Sequence, residues 1–347
     1  MINILIIGAF GFDTMDTGGQ PVKTRELYHA LCRYYKIDKI STIETMGWRS
    51  HFFSFIISLI ISIRKNDVII MLPAHNGFKI ISRILTTFKK PNTKLFYCVI
   101  GGWLASELKT LPSLIPVLST FSGIWVETNS LRIDLINLGL NNVFCIPNFK
   151  SLKTLTPDEL VYGNSKPLKV CTFSRVMREK GIEDAIKVIS KINQNFDETI
   201  YTLDIYGQVD KEYFEDFEII QESFPDYINY KGVVPPSESV DILKGYFALL
   251  FPTHFYTEGI PGTIIDAYAA GVPVITSLWL NYTDVFIEGI TGRGYKFGVV
   301  SEFEKILYEI QLDPEKFSSM KLSCLEQAKK YHPDSVISTI ARFIESE

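Results

Sequence analysis

Short apolar runs alternate with helix-period segments along this chain, and the whole alternation occurs twice. In the first half the runs are Ile4–Ile7, Val68–Leu72, Leu95–Ile100, Ile124–Val126 and Val143–Ile146. In the second half they are Lys169–Phe173, Tyr201–Ile205, Tyr227–Tyr230, Phe247–Phe251 and Val274–Thr276. A strand rich in Val and Ile without polar alternation is buried on both faces, the condition of a parallel sheet covered by helices. Leu27, Ala30, Leu31 and Tyr34 follow the helical period in the first half; Ile182, Ala185, Ile186, Ile189 and Ile192 do so in the second. The pattern predicts an α/β protein with two doubly wound, Rossmann-like parallel sheets.

A length of 347 residues points the same way, since it exceeds what one hydrophobic core usually supports. A polar, turn-prone stretch runs from Pro147-Asn148 to Ser165-Lys166-Pro167. We therefore expect an N-terminal domain over 1–150, a C-terminal domain over 166–330 and a last helical segment over 331–347. Two such domains facing each other would leave a cleft lined by the carboxyl ends of both sheets, where ligands of these folds bind.

The net charge of −4 argues against a nucleic-acid binder, although a local basic patch is compatible with it. Cys32, Cys98, Cys145, Cys171 and Cys324 are scattered, with no CxxC pair, which suits reduced thiols in a cytoplasmic protein. The opening MINILIIGAF reads as a first strand, having neither a basic n-region nor a small-residue cleavage site. The most apolar stretch, Phe52–Ile63, is shorter than the roughly 20 residues a bilayer needs. Two readings of it stay open: a buried helix, or a membrane-surface helix flanked by Arg49, Arg64 and Lys65.

The densest chemical signal is Thr257–Ser277, TEGIPGTIIDAYAAGVPVITS. Pro261 and Gly262 precede a short helix that Gly271 ends. A helix start carries unpaired N–H groups and positive partial charge, which suits a phosphate. Glu258 lies in the loop before that helix and Asp266 one turn inside it; both carboxylates can accept from sugar hydroxyls. The plain alternative makes Glu258 a cap and Asp266 a solvated surface charge. Upstream, FSRVMREKGI places Arg175, Arg178 and Lys180 within six residues at the end of a strand, enough positive charge to neutralise a diphosphate, or else an ordinary solvated loop. Near the N-terminus, Gly18-Gly19 precede Pro21 and a helix, so backbone can approach a ligand there or simply turn. No GxGxxG turn follows Gly8 and Gly11, which argues against a nicotinamide cofactor. Gly101, Gly102 and Trp103 end another strand, where Trp103 is an acceptor-side candidate or a buried core residue. Asp13 and Asp16 orient an acceptor hydroxyl or cap a turn.

The Thr257–Ser277 segment resembles the glutamate–seven residues–glutamate motif of retaining GT-B glycosyltransferases, particularly family 4 and its bacterial capsule and exopolysaccharide members. The resemblance implies that Glu258 contacts donor-sugar hydroxyls and that backbone around Gly259, Gly262 and Thr263 contacts sugar or phosphate. It also implies that Asp266 binds the nucleotide ribose. Asp266 stands where the family has a second Glu, one methylene longer. Arg175 and Lys180-Gly181 match the family's diphosphate-binding pair, with Arg178 unmatched, and Gly18-Gly19 match a glycine pair touching the donor. The histidine that many members carry near the reacting sugar has no counterpart at Gly101–Trp103; His75 is nearest. The expected activity is hexosyl transfer from a nucleotide-diphosphate sugar, UDP-linked, to a saccharide or lipid-linked saccharide, with retention of configuration, without metal or cofactor. Its expected place is the cytoplasm, and the inner face of the cell membrane if 52–63 is the surface helix of its second reading. The last helix is expected to cross back to the N-terminal domain. Two other readings are a sugar-nucleotide epimerase or hydrolase on the same scaffold, and a non-catalytic subunit of a polysaccharide assembly complex.

Overall fold

The computed structural model describes residues 2–12, 18–196 and 198–346. The chain divides into two compact units, one of residues Met1–Ser151 with His332–Glu347 and one of Leu152–Tyr331.

The first unit holds strands β1 (Ile4–Gly8), β2 (Ile40–Glu44), β3 (Val68–Met71), β4 (Lys94–Cys98), β5 (Gly123–Val126) and β6 (Val143–Cys145). Its helices are α1 (Gly19–Tyr34), α2 (Phe52–Lys65), α3 (His75–Phe88), α4 (Leu104–Thr110), α5 (Ile115–Ser119) and α6 (Asn129–Asn137). The second unit holds β7 (Leu168–Phe173), β8 (Tyr201–Tyr206), β9 (Ile228–Gly232), β10 (Ala248–Phe251), β11 (Val274–Leu278) and β12 (Gly292–Lys296). Between and after these lie α7 (Ile182–Gln194), α8 (Phe214–Glu222), α9 (Ser239–Leu243), α10 (Gly262–Ala269), α11 (Val300–Ile310), α12 (Pro314–Ser318) and α13 (Lys321–Ala328). A last helix, α14 (Pro333–Glu345), returns the chain to the first unit.

Both sheets are parallel and six-stranded, ordered β2-β1-β3-β4-β5-β6 and β12-β11-β10-β7-β8-β9. Both are doubly wound, as anticipated above; eight of the ten apolar runs lie on interior strands and two on the edge strands β6 and β9. In such a sheet a ligand binds outside the carboxyl ends of the strands where the order reverses. That point lies at β1/β3 in the first unit and at β7/β10 in the second.

Each sheet is covered on both faces. In the first unit one cluster joins Phe55, Leu59 and Ile63 of α2 to Phe78, Ile81 and Leu85 of α3. The opposite cluster joins Leu27 and Leu31 of α1 to Val336, Ile340 and Ile344 of α14. Tyr34, although spaced with Leu27 and Leu31, is half exposed at the end of its helix. All five cysteines are free thiols.

Lys321, at the start of α13, is fully buried and donates to the carbonyls of Tyr246 (3.1 Å) and Gly271 (3.3 Å). Burial pulls its pKa down to about 8, with Cys324 opposing weakly. An unfolded lysine keeps its proton to about pH 10.4. From pH 8 to that value the unfolded chain therefore binds more protons, and stability rises with pH. Tyrosines and cysteines titrate with the opposite sign, so the informative quantity is a difference. Wild type should gain about 1.5 kcal/mol relative to Lys321→Met between pH 8 and 9.5 in denaturant titrations. A constant difference across that range would contradict the assignment.

Candidate active site

The β7/β10 reversal point of the second unit is where its chemistry gathers. β7 ends at Phe173, two residues before Arg175, and its loop makes a single 3-10 turn over Arg178–Lys180 before Gly181 caps α7. β10 ends at Phe251 and its loop carries Thr253, His254 and Glu258. The two loops are tied through backbone, His254 N–H donating to the Glu179 carbonyl at 2.8 Å.

Across this junction the Lys180 ammonium and the Glu258 carboxylate form an ion pair whose side chains are 17% and 15% exposed. Thr253 Oγ1 donates to the same carboxylate at 3.2 Å. Asn281 Nδ2 donates to the Glu258 carbonyl at 2.6 Å, and Ser277 Oγ to the Thr253 carbonyl at 2.7 Å. Lys180 Nζ also stands 5.4 Å from the centroid of Phe251 and 5.0 Å from that of Phe255, within the range of cation–π attraction. Removing one partner of a charge pair this poorly solvated costs more than at the surface, because the other charge is left uncompensated.

The other expected residues are distributed around this pair. Arg175 is half exposed, and its Nη1 lies 3.4 Å from Asp210 in the loop after β8. Arg178 turns to α8, pairing with Asp216 at 2.6 Å and lying 5.5 Å from the Tyr213 ring, so it is held at the surface. Asp266 is not a solvated surface charge. It is 3% exposed and accepts from Ser239 Oγ at 3.2 Å, at the start of α9. The alternative of an exposed carboxylate fails because α10 turns that position inward. Gly259 lies in the loop ahead of α10, Gly262 opens the helix, and Thr263 Oγ1 in its first turn is buried without a hydrogen bond. Thr253, Asn281 and the His254–Asp184 contact (2.7 Å) were missed in the sequence. The available signal was three residues, Pro252-Thr253-His254, directly following an apolar strand.

In the first unit the β1/β3 reversal point opens into a cavity of about 350 Å³. Ala9 and Gln20 line it from the β1 side, Pro73–Gly77 from the β3 side, and Gly47–Arg49 from the lead-in to α2. Gly18 caps α1, and a Cβ built on Gly19 would meet nothing within 4 Å. Backbone there is open to close approach. Trp103 caps α4, donates to the Ile100 carbonyl at 3.0 Å and packs its ring 4.7 Å from His75. His75 thus borders the cavity and Trp103 supports it, while Gly102 lies just ahead of Trp103. Asp13 and Asp16 lie outside the described residues. Among the described residues no group of three or more His, Cys, Asp or Glu side chains is placed to hold a metal ion.

Residues 162–330, nearly all of the second unit, match the family model described as "Glycosyl transferases group 1". The fold of the whole chain is that of GT-B glycosyltransferases. Anabaena HepE, solved with UDP and glucose, superposes with a TM-score of 0.78 at 14% identity, covering 100% of both chains. Sucrose-phosphate synthase of Thermosynechococcus elongatus gives 0.79 at 15% identity, covering 99% of this chain and 98% of that one. The lipopolysaccharide outer core galactosyltransferase WaaB gives 0.69 at 14% identity over 99% of each. No curated protein matches the sequence.

Proposed function

We propose that this chain is a metal-independent GT-B glycosyltransferase. It moves a hexose-type sugar from a nucleotide-diphosphate donor, UDP-linked, to a saccharide or lipid-linked saccharide, with retention of configuration, in surface polysaccharide synthesis. The observation that carries the reading is the Lys180–Glu258 pair at the β7/β10 reversal point. HepE, with the same fold, holds UDP and glucose.

The pair suggests how a donor is received. With no donor present, each partner neutralises the other. A diphosphate offers Lys180 a doubly charged partner, and Glu258 is released to accept from sugar hydroxyls. As the bond to the sugar breaks, positive charge grows on the ring and negative charge on the leaving phosphate. Lys180, with Arg175 drawn from Asp210, stabilises that leaving group in place of a metal. The backbone amides at Gly262 and Thr263 face the same phosphate or the sugar. Asp266 reaches the ribose by giving up Ser239. Gly18 and Gly19 touch the donor through backbone, and the acceptor is held by the first unit near Trp103 and Gly102. Association with the cytoplasmic face of a membrane, through 52–63, belongs to this reading.

A panel of nucleotide sugars incubated with the protein should show slow release of sugar from one UDP-linked donor. Adding acceptor should divert it to transfer with retained configuration by NMR. Isomerised donor without transfer would replace this reading by an epimerase, and calorimetry showing no UDP binding would remove it.

A further inference from the structure

The first unit carries a charge imbalance that its fold concentrates. Residues 45–106 contain eight Lys or Arg and a single acidic residue, Asp67. Lys79 pairs with Glu107, Lys90 with Asp67 and Lys94 turns to α14, which leaves Arg49, Arg64, Lys65, Arg83 and Lys89. This stretch supplies α2 and α3, which pack on each other and bury their inner faces in one cluster. Their outer faces therefore share one side of the unit.

That side is apolar as well as basic. Phe53, Ile57 and Ile61, one per turn of α2, are 82%, 61% and 49% exposed, while Phe55, Leu59 and Ile63 fill the core. A helix apolar on both faces needs a cover on the second. Arg64, eleven residues after Phe53, continues the exposed stripe, and Lys65 follows it. Trp48 packs against Phe52 and Phe55 at the other end, with ring centroids 5.8 and 5.3 Å away. Arg49, Arg64, Lys65 and Arg83 are exposed and make no ion pair among the described residues. No helix among those residues is long and apolar enough to cross a membrane.

We propose that the outer face of α2, extended by α3, is a docking surface for an anionic lipid bilayer. The proposal rests on the peripheral association given above and names its surface and lipid class. Phe53, Ile57 and Ile61 enter the acyl boundary, and the arginines and lysine around them meet lipid phosphates. A second copy of the chain is the poorer occupant, because a symmetric contact through this face would set its positive charge against itself.

The test is vesicle flotation of the full chain on phosphatidylcholine alone and on phosphatidylcholine doped with phosphatidylglycerol. We expect binding to the doped vesicles that weakens as salt is raised. Arg64→Gln with Lys65→Gln should weaken it about thirtyfold, from about 1 kcal/mol per basic residue near an anionic surface. Phe53→Ser, Ile57→Ser and Ile61→Ser together should weaken it at least about tenfold, with circular dichroism and melting confirming the fold. Equal binding to both vesicle types, or none, overturns the proposal. So does a concentration-dependent dimer that the triple serine variant abolishes without any vesicle binding. Donor hydrolysis measured without vesicles reads the sugar chemistry separately, so either conclusion can fail alone.

Discussion

Lys180→Ala is expected to lower turnover about a hundredfold, the loss typical of one preorganised group aimed at developing negative charge. Lys180 is the least exposed cation at the β7/β10 junction, and its loss leaves the Glu258 carboxylate with Thr253 as its remaining side-chain partner. The reading predicts that kcat falls more than KM rises, since the leaving phosphate is more highly charged in the transition state than in the bound donor. Lys180→Arg should recover part of the loss, because charge returns while the planar fork fits the lysine's place imperfectly. Equal kcat and KM for Lys180→Ala and wild type, measured with the matched donor, would remove Lys180 from the site.

Gly181→Ala should cost about 3 kcal/mol or more, a drop of about 8 °C in the melting of the second unit. Gly181 has a φ of +69°, and a Cβ there would lie 1.8 Å from the Pro252 carbonyl oxygen, in the loop that carries Glu258. The backbone cannot yield without separating the two loops, so activity should fall with stability. Gly19→Ala is the control, its Cβ meeting open space, and stability should change by no more than about 0.5 kcal/mol. A Gly181→Ala protein melting with wild type would show that the loops are not held together as described.

The doubly wound sheets were legible because most of their interior strands are largely apolar, and each run named from the sequence lies on a strand. The two strands that escaped are both at edges. β2 (ISTIE) shows alternate or polar faces to solvent, and β12 (GRGYK) has two glycines and two cations in five residues. An edge strand is paired on one side only, so the sequence carries no demand for apolar side chains on both faces. At the site, sequence spacing placed Lys180 and Glu258 in loops but could not bring them together. They are 78 residues apart, and their meeting follows from β7 and β10 being neighbours. Asp266 had two readings in the sequence, a ligand-facing carboxylate or a solvated surface charge, and the second fails because α9 packs over it.

α14 has a consequence for how the protein is made. Its Val336, Ile337, Ile340 and Ile344 are buried beside Phe96, Trp125 and Phe149. Phe343 packs 4.5 Å from Phe144, and Lys94 Nζ donates to the Ile344 carbonyl at 3.1 Å. Synthesis delivers the first six strands early and this helix only after the whole second sheet. The portion that leaves the ribosome first therefore waits with one face of its sheet covered by α1 alone until α14 emerges. Nascent chains stalled before residue 332 should behave as clients of chaperones even after the second sheet has folded.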